Sequence, residues 1–147
     1  MPVPSPIKIT KNGVEFISKV DRAKYFIQEL NRAALRDVGK FVRRGVLDEI
    51  RKLKGFRRGK RPLRAIQIWV RKREGNLQVG FKHDTWYGVK QELGTSKQPR
   101  RALLTNRVMN NIDEIRRIEG AYLSAIEDEN KALGLINEDD EGENPDE

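Results

Sequence analysis

The spacing of apolar residues changes several times along the chain, and each change marks an element. Residues 1–17 open as a Pro-rich arm, Met1-Pro2-Val3-Pro4-Ser5-Pro6, followed by a short alternation, Ile7-Lys8-Ile9-Thr10, and a turn at Asn12-Gly13; an edge strand and an ordered arm fit this pattern equally. From Ser18 the period becomes helical. Ala23, Ile27, Leu30, Ala34, Val38, Phe41, Ile50 and Leu53 recur at steps of three and four, which predicts an amphipathic helix capped by Ser18 and ended by Gly55. Such a helix has roughly 35 residues and is on the order of 50 Å long. Gly39 and Gly45 lie inside it and are places where it can bend or break.

The run Lys54-Gly55-Phe56-Arg57-Arg58-Gly59-Lys60-Arg61-Pro62 reads as an exposed, mobile loop. Ile66, Ile68 and Val70, then Leu77, Val79 and Phe81, alternate around a turn at 72–76 and predict a hairpin. Tyr87, Val89, Gln91 and Leu93 alternate once more and predict a third strand, ended by Gly94-Thr95-Ser96. Two strands alone would be marginal, so an antiparallel sheet of about three to four strands is expected. After Pro99 the period is helical again, with Leu104, Val108, Ile112, Ile115, Tyr122 and Ile126 forming one stripe from about Arg101 to Asp128; Thr105 or Asn106 could start this helix instead. The expected fold is α+β, with a single domain over 18–133 and an acidic, disordered tail over 134–147.

Composition narrows the chemistry. A chain of 147 residues has room for one domain with a core. It has no cysteine, which excludes disulfides, thiolate catalysis and cysteine-based zinc sites. His83, the single histidine, falls in a turn and makes no metal site without partners. Glu92 reads as a structural acid at a strand end. Gly55 and Gly59 flank the basic loop, but no Lys-Ser/Thr pair opens a helix there, so a nucleotide loop is unsupported. No nucleophile and base pair up in the sequence, so no enzyme and no cofactor is expected. No run approaches the roughly 20 apolar residues of a membrane span, which predicts a cytoplasmic protein unless it leaves inside a larger particle.

The net charge of +8 conceals a polarity. Residues 127–147 carry ten acidic side chains against one lysine, a local −9, which leaves +17 on the rest. Residues 40–73 alone hold fourteen Lys/Arg against Asp48 and Glu49, a local +12. Such a run is either a solvated face or a contact for a polyanion or an acidic protein; Arg57, Arg58, Lys60, Arg61 and Arg64 are the candidate contacts. Trp69 and Trp86 fall opposite the main apolar alternations, so with Tyr87 they are candidates for an oligomer interface.

The stretch Trp86-Tyr87-Gly88-Val89-Lys90-Gln91-Glu92-Leu93-Gly94-Thr95-Ser96-Lys97-Gln98-Pro99 resembles the signature of the neck, head–tail joining or tail-completion proteins of long-tailed siphophages. Tyr87-Gly88 matches that family's aromatic-small pair. Glu92-Leu93-Gly94-Thr95 matches its Glu-Phe-Gly-Thr core, with Leu for Phe, and Gln98 to Leu103 matches the start of its last helix. The order of elements is similar over about residues 18–128. Two features depart from the pattern: Gly59 to Ile66 keep only the Leu and Ile positions of the family's Pro-Val-Asp-Thr-Gly-like segment, and Ala102-Leu103 stand for its Pro-Phe.

The resemblance implies a structural virion protein, assembled in the host cytoplasm into a ring of six or twelve copies at the phage neck or the head-proximal end of the tail. It also implies head-closure, connector and tail proteins as partners, and a basic loop facing either DNA in the lumen or an acidic neighbour. Glu92, Gly94, Thr95 and Pro99 would then form the turn that aims the last strand and helix. A small nucleic-acid-binding regulator is the alternative that the basic segment motivates.

Overall fold

The computed structural model describes residues 2–52, 66–82 and 86–141, with the side chains of 86, 87 and 138–141 excepted. Its fold is α+β. Strands β1 (Ile7–Lys11) and β2 (Val14–Ser18) form an N-terminal hairpin, and helix α1 (Val20–Lys52) follows. A second hairpin, β3 (Ile66–Arg71) and β4 (Asn76–Phe81), leads to helices α2 (Trp86–Leu93), α3 (Leu103–Met109) and α4 (Ile112–Leu123). A 3-10 turn (Ser124–Glu127) and helix α5 (Glu129–Glu141) complete the described chain. The two hairpins are separate antiparallel two-stranded sheets.

Helix α1 is the spine, and it carries two cores. On its C-terminal half Val38, Val42, Val46 and Ile50 pack with Ile66, with Leu77, Val79 and Phe81 of β4, and with Leu104, Ile115 and Ile118 of the later helices. On its N-terminal half Phe26 and Leu30 pack with Ala125, Ala132 and Ile136. Polar clips reinforce both: Tyr122 Oη donates to Asp37 Oδ2, and Arg22 donates to both carboxylate oxygens of Glu129 at 3.0 and 2.7 Å.

The two internal glycines do not break α1. They are where neighbours approach most closely. A Cβ on Gly39 would stand 3.1 Å from Leu77 Cδ1 and 3.3 Å from Ile68, so the sheet crosses the helix there. At Gly45 the space is taken by Arg107 of α3, whose guanidinium also lies 4.3 Å from the Phe41 ring centroid.

Three expectations are corrected. The segment 86–93 is a helix, not a third strand, because an eight-residue apolar alternation does not by itself separate a strand from a helix. Gly88 is buried and Gln91 and Glu92 are half-buried, while Val89, Lys90 and Leu93 are exposed, which is a helical period. A Cβ on Gly88 would stand 2.3 Å from the Phe81 ring, so glycine lets α2 lie on the end of β4. The helix expected over 101–128 is divided. Asn110 and Asn111 interrupt it, with Asn111 Nδ2 donating to the Arg107 carbonyl at 2.8 Å, and Asp128 ends it by accepting the N–H groups of Asn130 and Lys131. The acidic tail expected to be disordered from 134 is helical as far as Glu141, because Ala132 and Ile136, one turn apart, are buried in the second core. Residues 142–147 lie outside the described part, as does the basic loop with Arg57, Arg58, Lys60, Arg61 and Arg64, and so does His83.

Candidate functional site

Four of the singled-out residues, Glu92, Gly94, Thr95 and Pro99, come together in the joint between α2 and α3. The joint starts where α2 ends. Gly94 donates its N–H to the Lys90 carbonyl at 2.8 Å and turns the chain at φ +77°, a conformation glycine adopts without cost. Thr95 and Gln98 then exchange backbone hydrogen bonds of 2.8 and 3.2 Å, and Thr95 Oγ1 accepts the Lys97 N–H at 3.4 Å. Past Pro99 the Arg101 N–H returns to the Gln91 carbonyl at 2.8 Å, which closes the loop on the helix it left.

Glu92 is the centre of this joint. The N-cap position of helix α3 is Ala102, which has φ 47° and offers no side-chain cap. The missing acceptor comes from α2: the Glu92 carboxylate receives the Leu104 N–H at 2.9 Å, the Thr105 N–H at 3.0 Å and the Thr105 hydroxyl at 2.7 Å. Leu104 and Thr105 are the second and third residues of α3, whose N–H groups have no partner within the helix. The negative charge also lies at the positive end of the α3 dipole. Burial pushes the Glu92 carboxyl up, but the hydrogen bonds from Thr105 and Leu104, helped by the charge of Arg100, outweigh it and hold the group below its ordinary value.

The sign of the pH effect follows. A carboxyl with a lowered folded-state pKa contributes stability above its unfolded pKa and loses it as pH falls through the folded value. Glu92→Gln is therefore expected to cost about 1 kcal/mol at neutral pH, as losing a cap does. The difference from wild type should shrink as pH falls below the carboxylate range. Paired thermal melts across that range check it, and a deficit that stays constant into acid would contradict the role of the charge.

The second singled-out surface is separate. Trp69 lies on the outer face of β3, opposite Gln78, and is 56% exposed. Arg71 stacks on its ring at 5.0 Å and is held by Glu74 at 2.6 Å, so an aromatic and a cation are presented together. Trp86 and Tyr87 belong to the first turn of α2, and the placement of their side chains lies outside the described part.

A third surface was legible only in part. The turn Asn12-Gly13, with both residues at positive φ, joins β1 to β2 in full register from Ile7↔Ser18 to Lys11↔Val14. The sequence left an edge strand and an ordered arm open despite that turn signal, and the β1–β2 pairing decides for the strand.

Among the described residues no group of three or more His, Asp or Glu side chains could hold a metal ion, and no helix is long and apolar enough to cross a membrane. Comparison with protein-family models, curated proteins and solved structures returned no match.

Proposed function

We propose that this protein is a structural assembly protein of a tailed phage or prophage, joining or completing the head–tail connection as a ring at the neck or at the head-proximal end of the tail. The observation that carries the reading is the joint. Each of Glu92, Gly94 and Thr95 in the signature-like stretch has a structural task there: one caps α3, one makes a left-handed turn, and one closes a tight loop. A motif whose residues fix the angle between two elements suits a protein that works by shape. Trp69 stacked with Arg71 supports an interface on the sheet's outer face, since exposed Trp and Arg are the residues that anchor interfaces.

The test is composition and mass. Purified particles of the source phage should contain the protein in several copies at the neck by electron microscopy. Mixed with its neighbouring virion proteins it should assemble, and Trp69→Ala should weaken that assembly without changing the melting temperature. A strict monomer absent from particles would overturn the reading.

The basic segment keeps the regulator as the second reading. In the described part Arg51 pairs with Asp48 and Lys52 with Glu49 at 3.2 Å each, and Arg71 with Glu74, so some of the charge is used locally. The distinguishing measurement is duplex binding. Tight, steeply salt-dependent binding that vanishes when Arg57, Arg58, Lys60 and Arg61 become Ser would favour a regulator.

A further inference from the structure

The hairpin β1–β2 sorts its side chains cleanly. Ile7, Ile9, Val14 and Phe16 share one face with Lys11 at the tip, while Lys8, Thr10, Glu15 and Ile17 share the other, where Lys8 pairs with Glu15. The apolar face is bare: its four large side chains are 49% to 68% exposed. Together they present on the order of 400 Å² of contiguous apolar surface, the size at which a patch marks an interaction site. Apart from each other, the two strands make no extensive contact with any other described element. The roots are nevertheless fixed, because Val3 before the hairpin packs into the second core and α1 begins directly after it. An isolated two-stranded hairpin is marginal in water, so one that is anchored at both roots with an apolar face held outward needs a cover.

We infer that the hairpin's apolar face docks on a second copy of this chain, against the surface of α4 and the 3-10 turn around Leu123 and Ile126. The choice of a second copy rests on the assembly reading above. The choice of surface rests on charge. Ile27, Trp69, Val108 and Met109 are among the exposed apolar side chains of the body, and two further pairs stand beside charges of opposite sign. One, Val89 and Leu93 on α2, has Lys90 between its two residues and Lys97, Arg100 and Arg101 in the segment that follows, all exposed. The other, Leu123 and Ile126, has Glu119 and Glu127 one turn to either side of Leu123. The hairpin and its root carry Lys8, Lys11 and Lys19 against Glu15, so the basic patch repels them and the acidic one attracts them. Lys11, beside the apolar face, reaches a carboxylate of the acceptor as the face closes. Gly120 leaves that surface open, with nothing within 4 Å of where its Cβ would be. Hairpin and acceptor are different patches of one chain, so the contact is heterologous, as a ring requires.

The chain has no cysteine, which makes disulfide trapping clean. Full-length Phe16→Cys is mixed with Leu123→Cys, and in parallel with Leu93→Cys, under mild oxidation. Covalent dimers between different copies should form about tenfold more with Leu123→Cys than with Leu93→Cys, the factor that about 1.4 kcal/mol of preference gives. Phe16→Asp should abolish the concentration-dependent rise in sedimentation coefficient of the wild type and leave circular dichroism and melting unchanged. The inference is overturned if Leu93→Cys traps as well or better. It is overturned equally if the double variant Phe16→Cys/Leu123→Cys closes within single chains at high dilution, or if the wild type sediments as a monomer at its highest soluble concentration. Rings that persist with Phe16→Asp would overturn this contact and leave the assembly reading standing. Absence from particles would overturn that reading instead.

Discussion

Replacing Gly94 with valine is expected to destabilise the protein by about 3 kcal/mol, adding the strain of a β-branched residue at positive φ to that of overpacking. Two independent causes act at one atom. The backbone at Gly94 has φ +77°, and a Cβ there would stand 2.8 Å from the Arg100 nitrogen and 3.0 Å from its Cα. Both neighbours are main chain, so no rotamer change relieves the contact. The loop over 95–100 would have to open, which pulls the Arg101 N–H from the Gln91 carbonyl and shifts Glu92 away from the first turn of α3. For a chain of this size the melting temperature should fall by about 10 °C. Assembly should fail at temperatures where the variant is still folded, because the angle between α2 and α3 is set at this joint. Thermal melting and sedimentation measure the two effects, and an unchanged melting temperature would remove the joint from the account.

Truncation at Asp128 is expected to cost more. It removes α5, and with it Ala132 and Ile136 from the second core, the half-buried Leu133 and Leu135 beside them, and the Glu129 carboxylate that holds Arg22. Burying one large aliphatic side chain is worth about 1.5 to 3 kcal/mol, so the loss amounts to about 5 kcal/mol, comparable with the whole stability of a small domain. Phe26 and Leu30, now 4% and 0% exposed, would face water, and the N-terminal half of α1 should fray. Truncation after Glu141 removes Gly142-Glu143-Asn144-Pro145-Asp146-Glu147, which hold no large apolar side chain to bury, and should change stability by less than about 0.5 kcal/mol. Urea unfolding of the two truncations separates them. Equal midpoints would mean that α5 contributes nothing to the second core, contrary to the burial of Ile136.

The same two regions show how far sequence reasoning reaches. Helix α1 was legible because one apolar stripe runs its length, and what looked like weakness at Gly39 and Gly45 is explained only by the groups that cross it, Ile68 and Leu77 at one and Arg107 at the other. The start of the tail was misread because its acidic composition outweighed two apolar residues, Leu135 and Ile136, whose packing depends on a helix a hundred residues earlier in the chain. The breaks at Asn110-Asn111 and Asp128 carried capping signals that the longer stripe overrode. Glu92 was recognised as a structural acid at the end of an element, but its partner, the uncapped start of α3 beyond the loop, cannot be read from spacing.

By itself the sequence determined the α+β class, the long helix, the β3–β4 hairpin, the turn at Gly94, the outward Trp69 and the opposed charges of middle and tail. These follow from periodicity, turn chemistry and composition, which are local properties. The tertiary structure alone decided that 86–93 is a helix, that Glu92 caps α3, that α5 belongs to the core, and that the first hairpin stands clear of the body with its apolar face exposed. Each of these depends on what lies opposite a residue across the fold, as Phe81 lies against Gly88, and a short apolar alternation is compatible with either period until such a neighbour selects one.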